Sequence, residues 1–187
     1  MSKLQKYLHN YLNSPRDPMI NALLGEEYEK IGQGAAATSY FLRAAELWHD
    51  TEKELAYNCL LKTWKQLHNT TRREDFELGQ LQQAIAYYPE RPEAYYHASI
   101  WHSKRKEWVP SFMFAELGLK YIHKLPLKFD VKYPGDYGLI FQKAFSGWYI
   151  GKRDLSKKLF LNLKNLPDIN KQYRKLIEQN CKNFNLT

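Results

Sequence analysis

Along almost every segment of the chain, apolar residues recur three and four positions apart rather than at alternate positions, so the pattern predicts helices. Leu4, Tyr7, Leu8, Tyr11 and Leu12 share one face of such a helix near the N-terminus. Breaks are expected at Ser14-Pro15, Gly32-Gln33-Gly34, His49-Asp50, Asn69-Thr70-Thr71, Pro89 to Pro92, Arg105-Lys106, Pro126, Pro134-Gly135, Gly151 and Pro167-Asp168. The pieces between them have ordinary helix length, and short connections between helices of similar length make antiparallel hairpins. Capping chemistry supports several starts: Asp17 precedes Pro18, Asp136 follows Pro134-Gly135, and Pro92 and Pro110 suit first turns. One connection, His123 to Gly135, is long and irregular, which marks a functional or inserted element.

The hairpins repeat. Leu24-Gly25-x-x-Tyr28, then Ala37-x-x-x-Phe41 and Ala44, give the order L-G-x-x-Y, A-x-x-x-F and a further small residue. Small residues at Gly25, Ala37 and Ala44 let two helices approach, and Leu24, Tyr28 and Phe41 fill the space beside them. This resembles the tetratricopeptide (TPR) repeat of ~34 residues. Ala98, Ser99, His102, Trp108, Ser111, Ala115 and Gly118 follow the same offsets, as do Ala144, Gly147, Gly151, Ser156, Phe160 and Leu163. The copy between departs most, with Glu77 where a small residue is expected and a longer connection at Asn69 to Arg73.

The resemblance implies an all-α, TPR-like right-handed superhelix of about four hairpins in one domain, 1–187. The hairpins are expected over 17–49, 51–89, 91–122 and 136–166, with an N-terminal helix over 1–14 and a capping helix over 168–184. The N-terminal helix either covers the open end of the first hairpin or pairs with another copy. Arg91-Pro92-Glu93-Ala94-Tyr95-Tyr96, Phe112 to Leu119, Phe129-Asp130-Val131, Asp136-Tyr137-Gly138 and Ser146 to Gly151 also look like the TPR-type region appended to family 2 glycosyltransferases of bacteria and large viruses, as do Leu176, Asn180 and Phe184. That resemblance implies an accessory module, because the sugar-transferring domain of those proteins is a separate unit.

Composition adds sign and compartment. The net charge is +8, and residues 1–93 hold slightly more acidic than basic side chains, so the excess belongs to the second half. A positive field suits an acidic protein or peptide, or nucleic acid. No run of ~18 apolar residues occurs, and Met1 to Leu12 carries Lys, Gln, His and Asn where a signal peptide would be apolar. Cys59 and Cys181 form neither a disulfide framework nor a metal pair, so the expected location is cytoplasmic.

Catalytic chemistry finds little footing. No Asp-x-Asp is present, Asp130 and Asp136 read as caps, and the histidines at 9, 49, 68, 97, 102 and 123 include no i,i+4 pair, so no metal or other cofactor is expected. Gly32-Gln33-Gly34-Ala35-Ala36-Ala37 matches a dinucleotide fingerprint but follows a helical pattern, so it reads as a turn. Cys59 shares an apolar face with Leu55 and Leu60 and reads as core. Asn69-Thr70-Thr71 and Asn185-Leu186-Thr187 match the glycosylation sequon without a secretory context.

The informative constellation is aromatic and basic. Phe141, Phe145 and Trp148 form an i, i+4, i+7 stripe beside a face of small residues, Ala144, Gly147 and Gly151. The stripe either meets the C-terminal helix or lines a concave groove. In a groove its neighbours would be Tyr96, Lys104, Arg105, Lys152 and Arg153, which together suit an extended acidic peptide. The expectation is a non-catalytic scaffold or adaptor for another macromolecule. The alternatives are an accessory module of a glycosyltransferase system and single-stranded nucleic-acid binding by the basic half. Partner identity and oligomeric state are left open.

Overall fold

The computed structural model describes residues 1–70, 74–122 and 124–186, with side chains at all of these except 69, 70, 74 and 75. Thr71, Arg72, Arg73, His123 and Thr187 lie outside the described residues, and with them parts of the break at Asn69-Thr70-Thr71, of the connection to Arg73, of the start of the long connection and of both sequons. All regular structure among the described residues is helical. The helices are α1 (Lys3–Asn13), α2 (Pro18–Lys30), α3 (Gly34–Trp48), α4 (Lys53–Thr70), α5 (Glu74–Tyr87), α6 (Glu93–Lys104), α7 (Trp108–Gly118), α8 (Asp136–Tyr149), α9 (Arg153–Asn165) and α10 (Lys171–Asn183), with a short 3-10 turn at Leu119–Tyr121. Where the sequence suggests a single array, two compact units are described: Met1–Pro89 with Leu125–Val131, and Glu90–Lys124 with Lys132–Thr187.

In the first unit, local chemistry sets the helix ends. Asp17 Oδ1 accepts the Ile20 N–H at 3.0 Å, and Pro18 opens α2 with a residue that needs no donor there. Between α2 and α3, Gly32 adopts φ +75° and the Gln33 N–H donates to the Tyr28 carbonyl at 2.9 Å, so the fingerprint-like glycine string is a helix-to-helix turn. Helix α1 leans on this hairpin through Tyr11, whose ring meets Tyr40 edge-on at 5.6 Å, while Tyr40 stacks on Tyr28 at 5.4 Å.

The first hairpin closes around a missing side chain. A Cβ on Gly25 would stand 2.7 Å from Cε1 of Phe41, a ring that is wholly buried. Ala22, Ala37, Ala44, Ala45 and Cys59 complete the core around that ring, with Leu55 and Leu60 packed against it. Burial pushes the Cys59 thiol up to about 12. Lys62 of α4 is also buried, its Nζ 2.5 Å from Glu26 Oε1 and bonded to Glu29, which Lys65 also meets at 2.7 Å. Burial alone would raise the Glu29 carboxyl, but the hydrogen bonds from Lys62 and Lys65 outweigh it and hold the group below its ordinary value.

The second hairpin is built differently. Glu77, in the place of a small residue, is buried and its Oε2 lies 2.9 Å from His68 Nδ1, so a polar pair spans α4 and α5 where the first hairpin uses close packing. Gly79 next to it has open space around its Cα.

A segment that is distant in sequence completes the first unit. The chain leaves the second unit after Lys124, contributes Leu125–Val131 to the first and returns at Lys132. Phe129 joins the same core as Ala22 and Cys59, and Asn58 of α4 clasps its backbone: Nδ2 donates to the Phe129 carbonyl at 2.9 Å and Oδ1 accepts its N–H at 2.7 Å.

In the second unit the small-residue contacts return. A Cβ on Gly118 would meet Leu139 and Tyr95 at 2.9 Å, one on Gly138 would meet Pro134 at 2.5 Å, and one on Gly147 would meet Ser156 Oγ at 2.8 Å. Ala98, Ser99, Ser111, Ala115, Ala144, Ser156, Phe160 and Leu163 are fully buried. Two caps differ from expectation. Gly135, at φ +104°, takes the N-cap of α8, and Asp136 is its first helical residue, with Oδ1 accepting the Tyr133 hydroxyl at 3.2 Å. Pro92 holds the N-cap position of α6 rather than a place in its first turn. Asp130 is exposed and lies in the connection, six residues before the first residue of α8.

Two measurements check this packing. Gly25→Ala should cost about 1–3 kcal/mol in chemical denaturation through overpacking, although alanine is the better helix former, whereas Gly79→Ala should stabilise by up to about 1 kcal/mol. Cys59 should resist iodoacetamide at pH 9 until denaturant is added. Its thiol ionises near 8.5 in an unfolded chain but near 12 when folded, so its contribution to stability is complete below pH 8.5 and is lost as pH rises toward 12. Cys59→Ala should flatten that part of the stability profile.

Candidate protein-interaction surface

The eight residues expected to line a groove belong to the second unit: α6 and α8 carry five of them, Arg105 and Lys152 lie in the turns after these helices, and Arg153 opens α9. The two turns have one geometry. After α6, Lys106 takes φ +61° and the Glu107 N–H donates to the His102 carbonyl at 3.1 Å. After α8, Gly151 takes φ +83° and the Lys152 N–H donates to the Gly147 carbonyl at 2.9 Å. Both are the same left-handed helix ending, and in the first a lysine stands where glycine is the ordinary choice.

The turns lie side by side. Trp108, the first residue of α7, stacks on Tyr149, the last of α8, at 4.2 Å and meets Phe145 edge-on at 5.7 Å. One edge of the unit therefore gathers Lys104, Arg105, Lys106, Lys152 and Arg153. The Arg105 guanidinium lies flat on Trp101 at 3.6 Å and Nη1 donates to the Trp101 carbonyl at 3.3 Å. Lys152 Nζ lies 5.4 Å from the Phe112 ring, with Lys143 at 5.6 Å from the same ring, and Arg153 stands 5.6 Å from the Trp148 ring. In each case the charged head itself lies over the aromatic face, a cation–π arrangement. Glu107 is occupied nearby, 2.5 Å from His102 Nδ1.

The aromatic stripe itself turns inward and meets the C-terminal helix, one of the two partners open to it. Phe141 is 6% exposed and meets Tyr173 of α10 edge-on at 5.4 Å. Phe145 is half-buried, and Trp148 stacks on Phe184 at 4.3 Å. Tyr96, 5% exposed, sends its hydroxyl to that of Tyr173 at 2.5 Å. Burial pushes the Tyr96 phenol up, and burial with its Tyr96 neighbour pushes Tyr173 up further, so both stay neutral. The structure thus separates the eight residues. Lys104, Arg105, Lys152 and Arg153 reach the surface with part of Trp148, while Tyr96, Phe141 and Phe145 pack behind them.

Trp101, Trp108, Phe112 and Phe184 supply the rings that order this surface; in the sequence Trp108, Phe112 and Phe184 fall within the repeat pattern rather than at an expected surface, and Trp101 is not singled out. Among them, only the Trp101–Arg105 i,i+4 spacing offered a local signal. Among the described residues, no group of three or more His, Cys, Asp or Glu is placed to hold a metal ion, and no helix is long and apolar enough to cross a membrane.

No family model matches the chain, and no curated protein is similar to it in sequence. Solved structures are similar in fold. A crystal structure of MamA superposes with a TM-score of 0.63 at 16% identity, covering 96% of this chain and 89% of that one, and a second MamA structure gives 0.61 at 15%, covering 98% and 85%. The pilF protein of Pseudomonas aeruginosa gives 0.68 at 12% identity, covering 94% of this chain and 72% of its own. The likeness extends to the repeat fold and not to the glycosyltransferase-appended form. These neighbours share the helical-repeat architecture, and the small-residue hairpins described above belong to the same fold: the chain has a TPR-like helical-repeat fold.

Proposed function

We propose that this protein is a non-catalytic scaffold or adaptor that binds an acidic segment of another protein along the edge formed by the α6–α7 and α8–α9 turns. The observation that carries this reading is the pairing of exposed cations with supporting rings: Arg105 on Trp101, Lys152 beside Phe112 and Arg153 over Trp148. A cation pre-positioned on an aromatic face loses less side-chain freedom when a carboxylate arrives than a free lysine does. Lys104 extends the charged strip. The buried Tyr96 and Phe141 and the half-buried Phe145 set its shape from behind.

The structure offers less to nucleic acid, because the rings that would stack bases are stacked on one another, Trp108 on Tyr149 and Trp148 on Phe184. An accessory role in a glycosyltransferase system is the same proposal with the partner specified.

Pull-down with wild-type protein and a Lys104→Glu, Lys152→Glu, Arg153→Glu triple variant tests the surface. Protein partners should survive nuclease treatment, weaken as salt rises, and bind the variant roughly tenfold or more worse. A glycosyltransferase among them would specify the accessory role. Equal capture by both proteins overturns the surface, and partners lost on nuclease treatment overturn the protein-binding reading in favour of nucleic acid.

A further inference from the structure

The first unit holds its own peptide in the manner of a receptor. In the segment from Leu127 to Tyr133, apolar and charged residues alternate strictly: Leu127, Phe129, Val131 and Tyr133 are separated by Lys128, Asp130 and Lys132. Burial follows the alternation, with Phe129 and Val131 buried and Lys128 and Asp130 exposed. This is the pattern of a half-buried strand, yet the segment belongs to no sheet. The Asn58 amide takes the place of the absent neighbour. It donates to the carbonyl and accepts from the N–H of the same residue, Phe129, which is the exchange that two facing residues make in an antiparallel pair.

The Asn58 contacts fall on backbone alone. A side-chain amide that satisfies both backbone groups of one residue, together with burial of the apolar side chains at that residue and two places on, accepts an extended chain with apolar residues at alternate positions. The intervening side chains face solvent. On its N-terminal side the side chains of Leu125, 82% exposed, and Pro126 lie at the surface.

We propose that the face of α4 bearing Asn58 is a binding site for an extended peptide of the form aromatic-polar-aliphatic, that Leu127–Val131 occupies it as an internal ligand, and that a partner segment of the same chemistry displaces this strap. The site lies in the first unit and does not depend on the basic edge of the second.

The probe is a fluorescein-labelled synthetic peptide spanning residues 125–133, read by anisotropy against the full chain. A strap variant, Phe129→Ala with Val131→Ala, should bind it at least tenfold tighter than wild type, and adding Asn58→Ala should abolish that gain. A control peptide with Lys at the Phe129 and Val131 positions should not bind. A strap variant with wild-type helical dichroism that binds the peptide no better than wild type overturns the proposal. Amide exchange in the wild-type protein needs no variant. Saturating peptide should accelerate exchange at the Phe129 N–H, and unchanged protection there would mean that the strap is a fixed structural part. Exchange of the segment with a second copy would appear instead as dimer formation without peptide, which also overturns displacement by a partner.

Discussion

A helix can lie as close to its neighbour as an aromatic or branched side chain demands only where no Cβ stands beneath that side chain. Gly25 under Phe41, Gly118 under Leu139 and Tyr95, and Gly147 beside Ser156 and Phe112 apply this one constraint at successive helix pairs. Each glycine gives up helix propensity of ~1 kcal/mol and gains burial of a large side chain worth ~1.5–3 kcal/mol, so the exchange favours the close pair. The proposed basic edge depends on it. Gly147 lets α8 approach α9, and the turn that follows then carries Lys152 and Arg153 to the edge beside Lys104 and Arg105. Where the constraint is absent, at Glu77, the helices are joined by a hydrogen-bonded pair instead.

Two buried polar groups of the first unit, Lys62 and Asn58, follow a different principle, in which a buried charge or amide meets a committed partner. Lys62 lies between two glutamates, and Asn58 spends both ends of its amide on one backbone residue. Leaving either unpaired in the interior would cost more than the pairing returns. Such groups select a particular neighbour in a way that apolar packing does not, which makes Asn58 the discriminating element where an irregular segment has to find its place.

Much of the architecture is readable from sequence because its determinants are local. Asp17 and Pro18 start a helix by satisfying its first turn, and Gly32 and Gly151 end helices by adopting positive φ, whatever surrounds them. Lys106 performs the second task without glycine, at the break that Arg105-Lys106 marks in the sequence. The residues of the basic edge are legible as exposed charge, but their order comes from rings on other elements, Phe112 on α7 and Phe184 beyond α10, which periodicity cannot pair with them. The aromatic stripe shows the same limit: its spacing defines a face, and only the position of α10 decides what covers that face. The strap at 125–131 carries a plain alternating pattern, yet its place depends on an amide in α4 that nothing adjacent in sequence identifies.

The Asn58–Phe129 clasp also sets an order of assembly. Its partners are 71 residues apart, so during synthesis α4 is complete long before the residue that satisfies Asn58 exists. At ~5–20 residues per second the interval is roughly 4 to 14 seconds, far longer than helices and hairpins need to form. For that time the N-terminal hairpins stand with an open socket and an unpaired amide, and they close only after the chain has built α6 and α7 and turned back. A fold assembled from sequential neighbours is thereby given one late, long-range step. The first unit is finished by a segment that is made only after Glu90–Lys124 of the second, so its completion reports that synthesis has passed residue 131.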